Sequence, residues 1–185
     1  GSWRVSGKFF RRMTDAGVKV YPFLPVYFPL LTSKINYRNH RKIIIIDGET
    51  AFVGGMNIAV RYAKKWRDTH LLVRGGIVNA IQRAFLIDWY FVSRTLITCL
   101  RYYPEPKTKI SNNCIAQLVT GSPVTPDHDI MQGYVRIIIE ARDYVYMETP
   151  YFLPTETIMF ALRTAANAGV DVLLIVPLKS DAKVV

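Results

Sequence analysis

The residues with the clearest chemical potential form one short cluster. Its members are His40, Lys42, Asp47, Gly54, Gly55 and Asn57. On an extended backbone, positions 40 and 42 point to the same face, so an imidazole and an ammonium group lie side by side. The imidazole can attack phosphorus, and the ammonium can neutralise the non-bridging oxygens as charge builds up in the transition state. The cluster therefore predicts chemistry at a phosphoryl centre.

The glycines and the asparagine fit the same chemistry. Gly54 and Gly55 leave the backbone bare enough for a phosphate to approach, and Asn57 offers side-chain donors. Taken singly, each residue has a simpler explanation, since a lone histidine is usually structural and Gly-Gly is usually a turn. The joint pattern H-x-K-x4-D-x6-G-G-x-N spans residues 40–57 and is far more specific.

Alternating strands and helices are predicted to position this cluster. Strands are expected at 18–21, 43–46, 51–53, 69–73, 115–119, 144–148 and 170–176, and helices at 8–16, 77–100, 130–141 and 155–168. This order predicts an α/β sandwich whose sheet is mixed and largely parallel. The isoleucine run 43–46 is typical of a central strand that is covered on both faces.

The chain is predicted to have two parts. Residues 16–20 (AGVKV) and 168–172 (AGVDV) share a helix end, a glycine and a strand start, which permits a duplicated architecture. The polar, proline-bearing stretch 103–113 is the best linker candidate. We therefore expect domains at 1–105 and 106–185.

Composition and charge limit the function classes. Of the 185 residues, 50% are hydrophobic and 21% charged, which excludes disorder, collagen and a coiled coil. Residues 1–67 contain 13 basic and 3 acidic side chains, so they hold the whole net charge of +10. Such a region attracts nucleic acid, anionic lipid headgroups or phosphate esters. The sequence has no nucleotide-binding glycine motif, no metal-ligand spacing and no membrane-spanning segment, so we expect no cofactor and no metal.

The motif resembles the signature of the phospholipase D superfamily, and its flanks resemble the bacterial cardiolipin synthases within it. The similar segments are residues 38–42 (RNHRK), 54–58 (GGMNI), 66–70 (WRDTH) and 148–154 (ETPYFLP). This resemblance implies a phospholipase D-like α/β/α sandwich in which two halves face each other. One histidine becomes a covalent phosphohistidine, and the other protonates the leaving alcohol.

The resemblance also implies a role for each site residue. His40 is one catalytic histidine, and Lys42 and Asn57 bind phosphate beside Gly54 and Gly55. Asp47 is the carboxylate of the catalytic motif, in a structural role. Asp68 orients its histidine by hydrogen bonding to the far ring nitrogen. Glu148 either points into the shared cleft or is an ordinary carboxylate at a strand end, and the sequence leaves both interpretations open.

Only one half-site is present, because no second H-x-K occurs and residues 181–183 have Asp where the family has its histidine. We therefore expect an internal fragment with an incomplete duplicated architecture, which is inactive alone. The second motif is expected downstream and membrane-spanning helices upstream. The stretch 21–31 either dips into the membrane interface or packs over the active site.

The leading hypothesis is a bacterial phosphatidyltransferase that works on the surface of the cell membrane. It makes cardiolipin from two phosphatidylglycerol molecules through a phosphohistidine and releases glycerol. Its expected partners are anionic phospholipid and the second half of the same chain. A phosphodiesterase or nuclease that acts as a dimer is the alternative, although no nucleic-acid-binding fold is evident. A non-catalytic binder of anionic membranes is the third hypothesis.

Overall fold

The protein has a mixed helix and strand architecture, which confirms the predicted α/β class. The computed structural model describes residues 5–23, 39–64, 66–105, 114–122 and 129–178. The chain divides into two compact units, Gly1–Leu118 and Val119–Val185. The predicted domain boundary at 105/106 lies earlier in the chain, and most of the predicted linker lies outside the described residues. The stretch 24–31 and residues 181–183 lie outside them as well.

The first unit is built on a three-stranded antiparallel sheet in the order β1-β2-β3. Its strands are β1 (Ile43–Ile46), β2 (Thr50–Gly54) and β3 (His70–Arg74). Its helices are α1 (Gly7–Asp15), the short α2 (Val60–Lys64) and α3 (Ile77–Ser93). The three-residue turn between β1 and β2 requires antiparallel strands, since a parallel pair needs a long crossover. The described strand pairs of this unit are antiparallel and the described pair of the second unit is parallel, which fits the predicted mixed arrangement without the predicted majority of parallel pairs.

The core of the first unit lies between the sheet and α3. Ala51, Val78 and Ile81 are buried, and Ile43 and Ile45 pack against them. The alternate isoleucines of β1 are exposed, Ile44 by 41% and Ile46 by 48%. Within the described part of the chain, β1 is thus an edge strand with one covered face, whereas a central strand covered on both faces was predicted.

Two other predictions failed in the first unit. Residues 18–21 do not form a strand, although their side chains alternate. Helix α3 ends at Ser93 instead of continuing to residue 100, because Arg94 adopts a left-handed conformation with φ 57°. The Ser93 hydroxyl accepts a hydrogen bond from the Thr95 N–H, which competes with helical pairing.

The second unit contains a parallel strand pair crossed by a helix. Its elements are α4 (Asp129–Ile139), β4 (Tyr144–Glu148), α5 (Glu156–Asn167) and β5 (Asp171–Ile175). Its core contains the buried residues Ile138, Ala161, Leu162, Ala165 and Val170. As predicted, Thr155 caps α5, and its hydroxyl accepts from the Ile158 N–H at 3.4 Å. Residues 115–119, where the first unit ends and the second begins, do not form the predicted strand, and Ile115 is 97% exposed.

The similar segments 16–20 and 168–172 terminate their helices by the same device. Gly17 has φ +88° and Gly169 has φ +90°. In the first unit the Val18 N–H reaches back to the Met13 carbonyl at 3.0 Å, and in the second unit Val170 reaches Ala165 at 3.1 Å. This pairing defines a Schellman motif, which needs a left-handed residue and therefore favours glycine. The repeat continues as a strand only in the second unit.

Candidate active site

Three strand ends meet at one end of the antiparallel sheet. The register pairs Ile43 with Val53 and Gly54 with His70. The start of β1, the end of β2 and the start of β3 therefore lie together, and we call this the motif end of the sheet. The segments that continue from these strand ends are 39–42, 55–57 and 66–69.

His40 and Lys42 are in direct contact. The Lys42 Nζ donates a 2.7 Å hydrogen bond to the main-chain oxygen of His40. His40 is exposed and Lys42 is half-buried. Strand pairing begins only at Ile43, so both side chains are carried by backbone outside the sheet. The contact holds an ammonium charge beside the residue that carries the imidazole.

The two glycines make room for side chains of the neighbouring strand. A Cβ placed on Gly54 would lie 2.8 Å from the His70 Nδ1, and one placed on Gly55 would overlap the carboxylate of Asp68. The Gly55 N–H is itself engaged, because it donates to the Thr69 carbonyl at 3.2 Å. Asp68 and His70 thus lie beside the two glycines that were predicted to leave room for a phosphate.

Asp68 is held by the N–H of the next residue, and its carboxylate lies beside Gly55. Its Oδ1 accepts a 2.8 Å hydrogen bond from the Thr69 N–H. The hydrogen bond that the structure gives this carboxylate therefore comes from Thr69 rather than from His40. Asp68 nevertheless lies at the motif end, against a glycine of the same motif.

Asn57 is held by helix α2. Its Nδ2 donates to the Tyr62 hydroxyl at 2.8 Å. The Tyr62 ring contacts Trp66 edge-on with centroids 5.4 Å apart, and the Arg61 guanidinium lies 4.6 Å from the Trp66 centroid. This contact occupies one of the two amide protons of Asn57.

Asp47 lies at the opposite end of β1 from His40 and Lys42. It has φ 54° and is followed by Gly48 with φ 69°. The Glu49 N–H closes the turn by donating to the Ile46 carbonyl at 3.1 Å. Asp is among the few residues that tolerate a left-handed backbone. The structure thus places Asp47 in the turn that joins β1 to β2, apart from the other predicted catalytic residues.

Comparison with known proteins gives a family match for most of the first unit. Residues 2–89 match a family profile described as "Cardiolipin synthase, PLD-like domain". Residues 2–89 carry a PLD-like domain similar to that of cardiolipin synthases. The match covers β1, β2 and β3, and so the whole motif end of this PLD-like domain.

Curated relatives extend the similarity to the second unit. Over its full length the chain is 42% identical to "Cardiolipin synthase 2" of Bacillus anthracis and 41% identical to "Cardiolipin synthase" of Geobacillus thermodenitrificans. It is 37% identical, over 98% of its length, to "Probable cardiolipin synthase YwiE" of Bacillus subtilis. The chain spans only 37 to 38% of the length of these relatives.

Glu148 belongs to the second unit rather than to the part that matches the PLD-like profile. It is exposed at the carboxyl end of β4, where it pairs with Ile175 of β5. Two residues earlier, the Tyr146 hydroxyl donates to the Asp171 carboxylate at 3.1 Å. This hydrogen bond and the negative charge of Asp171 raise the pKa of Tyr146.

Two residues near the motif end were missed by the sequence reasoning. His70 has both ring nitrogens buried and without a hydrogen-bond partner in the described part of the chain. Asp88 of α3 forms an ion pair with Arg41, the residue that separates His40 from Lys42 in the sequence. The available signal for Asp88 was a carboxylate at an apolar position of an amphipathic helix.

Two kinds of feature are absent from the described residues. No described helix is both long enough and apolar enough to cross a membrane. Across the same ranges, no group of three or more histidine, cysteine or carboxylate side chains is arranged to hold a metal ion.

Proposed function

We propose that the full-length protein is a phosphatidyltransferase that makes cardiolipin from two phosphatidylglycerol molecules. The observation that carries this proposal is the contact between Lys42 and His40 at the motif end of a PLD-like domain. This pair provides a nucleophile or acid beside a fixed positive charge, which phosphoryl transfer needs. The names of the relatives supply the phospholipid class.

The proposed reaction has two displacements at one phosphorus. In the first, the nitrogen of a motif histidine attacks the phosphorus of phosphatidylglycerol, and the bond to the glycerol oxygen breaks. The departing alkoxide takes its proton from the other motif histidine, and glycerol leaves. In the second, a hydroxyl of another phosphatidylglycerol molecule gives its proton back to that histidine and attacks the phosphohistidine, which forms cardiolipin and frees the nucleophile.

The residues of this chain take distinct parts in that reaction. His40 is one of the two histidines, and Lys42 neutralises the phosphoryl oxygens in each transition state. Asn57 donates its remaining amide proton to the phosphate. Asp68 supplies the negative charge that orients and stabilises a cationic imidazole. Asp47 shapes the turn and takes no part in bond making.

The partners of the reaction are proposals too. We propose that this chain is an internal part of a longer synthase whose second half contains the other motif histidine. The domains are then 1–105 and 106–185 as predicted, with Glu148 of the second half facing the shared cleft. The enzyme works on the surface of an anionic bacterial membrane, where phosphatidylglycerol is available, and no cofactor takes part.

The test is to supply purified full-length protein with phosphatidylglycerol vesicles and, separately, with DNA. We expect cardiolipin and glycerol in equal amounts, and a fall of at least ~10³-fold in turnover for His40→Ala. His128→Ala is the control, because His128 has Ile130 in place of the motif lysine. Strand cleavage without cardiolipin would replace this proposal by the nuclease alternative. Membrane binding without any turnover would leave only an anionic-surface binder.

A further inference from the structure

The motif segment is tied to helix α3 by an ion pair. The Arg41 Nη1 lies 2.7 Å from the Asp88 Oδ2 across 47 residues of sequence. Only 31% of the Arg41 side chain and 22% of the Asp88 side chain are exposed. Because both side chains are partly shielded from water, their attraction is screened less than that of a fully exposed surface pair.

Asp88 occupies the face of α3 that packs on the sheet. Val78 and Ile81, on the same helix, are buried in the core of the first unit. Position 88 follows Ile81 by about two helical turns and so lies on the same face. A carboxylate on a packing face is unfavourable unless it is paired. Arg41 provides that pairing, so Asp88 extends the contact between α3 and the sheet with a polar tie.

The side chain of Arg41 points to the same side of the sheet as those of alternate residues in β1. Ile43 and Ile45 pack against the core on the α3 side of the sheet. In an extended chain Arg41 shares their side, and the ion pair to α3 shows that it does. Continued alternation would then direct the side chains of His40 and Lys42 together to the opposite side. A tie at position 41 therefore sets which way the two motif side chains point.

We propose that Asp88 is a positioning residue for His40 and Lys42, and that it acts through Arg41. Asp88 touches neither substrate nor the reacting atoms. Its carboxylate holds the Arg41 guanidinium, and this contact keeps residues 39–42, which precede β1, in the orientation that presents the imidazole and the ammonium on one face. The kinetic part of this inference rests on the proposed function.

The first test is to replace Asp88 in the full-length enzyme. Asp88→Asn keeps the shape of the side chain and removes its charge, so we expect kcat to fall about 10- to 100-fold while KM changes by less than about twofold. Asp88→Glu keeps the carboxylate and should retain turnover to within about threefold of wild type. Glu140→Gln is the matched control, since it removes another ion pair, between Arg136 and Glu140 at 2.9 Å, within helix α4 and its end. It should leave kcat unchanged.

The second test asks whether the two residues act as one unit. Arg41→Gln combined with Asp88→Asn should cost no more than the larger single change, because either change breaks the same tie. Additive losses, or an Asp88→Asn enzyme with wild-type kcat, would overturn the proposal.

A readout that does not need turnover separates this inference from the proposed function. If the wild-type enzyme makes no cardiolipin, the proposed function fails, and the ion pair is judged by the rate at which diethyl pyrocarbonate modifies His40, read by peptide mass spectrometry. A rate altered by Asp88→Asn and restored in Asp88→Glu supports positioning. Equal rates in all variants reject it.

Discussion

Asp68 lies against Gly55 and accepts from the backbone of Thr69, so its place does not depend on its charge. Asp68→Asn should keep the Thr69 hydrogen bond and the local geometry, but lose the negative charge that we propose stabilises a cationic imidazole. We expect kcat of the full-length enzyme to fall about 10²-fold, less than for His40→Ala. Steady-state kinetics of both variants measures this. A loss equal to that of His40→Ala would mean that Asp68 does more than orient.

Lys42 holds its ammonium group on the main-chain oxygen of His40. Lys42→Met keeps most of the stem and removes the charge, so the transition state loses more stabilisation than the bound substrate does. We expect kcat to fall by a larger factor than KM rises, measured with phosphatidylglycerol in mixed micelles. A rise in KM at constant kcat would assign Lys42 to substrate binding alone.

Gly54 and Gly55 should respond differently to the same added methyl group. In Gly54→Ala the new Cβ would meet backbone, 2.6 Å from the Thr69 oxygen, so we expect the unfolding free energy to fall by about 1–3 kcal/mol. In Gly55→Ala the new Cβ would meet the carboxylate of Asp68, a side chain that can move. We therefore expect kcat to fall, while the unfolding free energy falls by less than in Gly54→Ala. Chemical denaturation and kinetics of each variant separate the two effects. Identical profiles would contradict this contrast.

Among the helices, strands and turns, those whose ends are set by neighbouring residues were the most predictable from the sequence. The turn at Asp47 and Gly48 and the capped, glycine-ended helix α5 have such signals and were found. The stretches 18–21 and 115–119 have strand-like patterns, but a strand also needs a partner, and partners are set by distant parts of the chain. For the same reason, side-chain patterns did not predict whether neighbouring strands run parallel or antiparallel.

The end of helix α5 offers a stability test with a control in the same unit. Gly169→Ala would force a residue with a side chain into φ +90°, so we expect a loss of about 1–2 kcal/mol in unfolding free energy. Gly133 lies inside helix α4 with nothing within 4 Å of an added Cβ. Gly133→Ala should therefore stabilise by about 0.5–1 kcal/mol. Urea unfolding of both variants checks the opposite signs, and a stabilising Gly169→Ala would contradict the Schellman assignment.

At the scale of the whole molecule, the site depends on contacts over very different sequence distances. The closeness of Lys42 to His40 was predictable from the sequence, because the two residues are only two positions apart. The pairing of Arg41 with Asp88 was not, since it depends on how α3 packs on the sheet. Nor was the filling of the space beside Gly54 by His70, which depends on the register of β2 and β3.

The uneven charge of the molecule leads to a prediction about membranes. Residues 1–67 hold the whole excess of basic side chains. We expect this chain to bind vesicles that contain phosphatidylglycerol and to lose binding as salt is raised, because surface attraction is screened over about 8 to 10 Å at physiological ionic strength. Vesicle sedimentation between low and high salt measures this. Salt-independent binding to neutral vesicles would show that apolar insertion, rather than charge, drives the interaction.

The short turn at Asp47 also explains the spacing of the motif. Residues 43–46 pair antiparallel with residues 50–53, so the residues between Lys42 and Gly54 form one hairpin. An insertion or deletion in one strand alone would shift the register and turn core isoleucines outward. Length variation at this site is therefore tolerated only as matched changes in both strands or as changes in the turn. The number of residues between Lys42 and Gly54 is therefore set by the length of the hairpin that joins them.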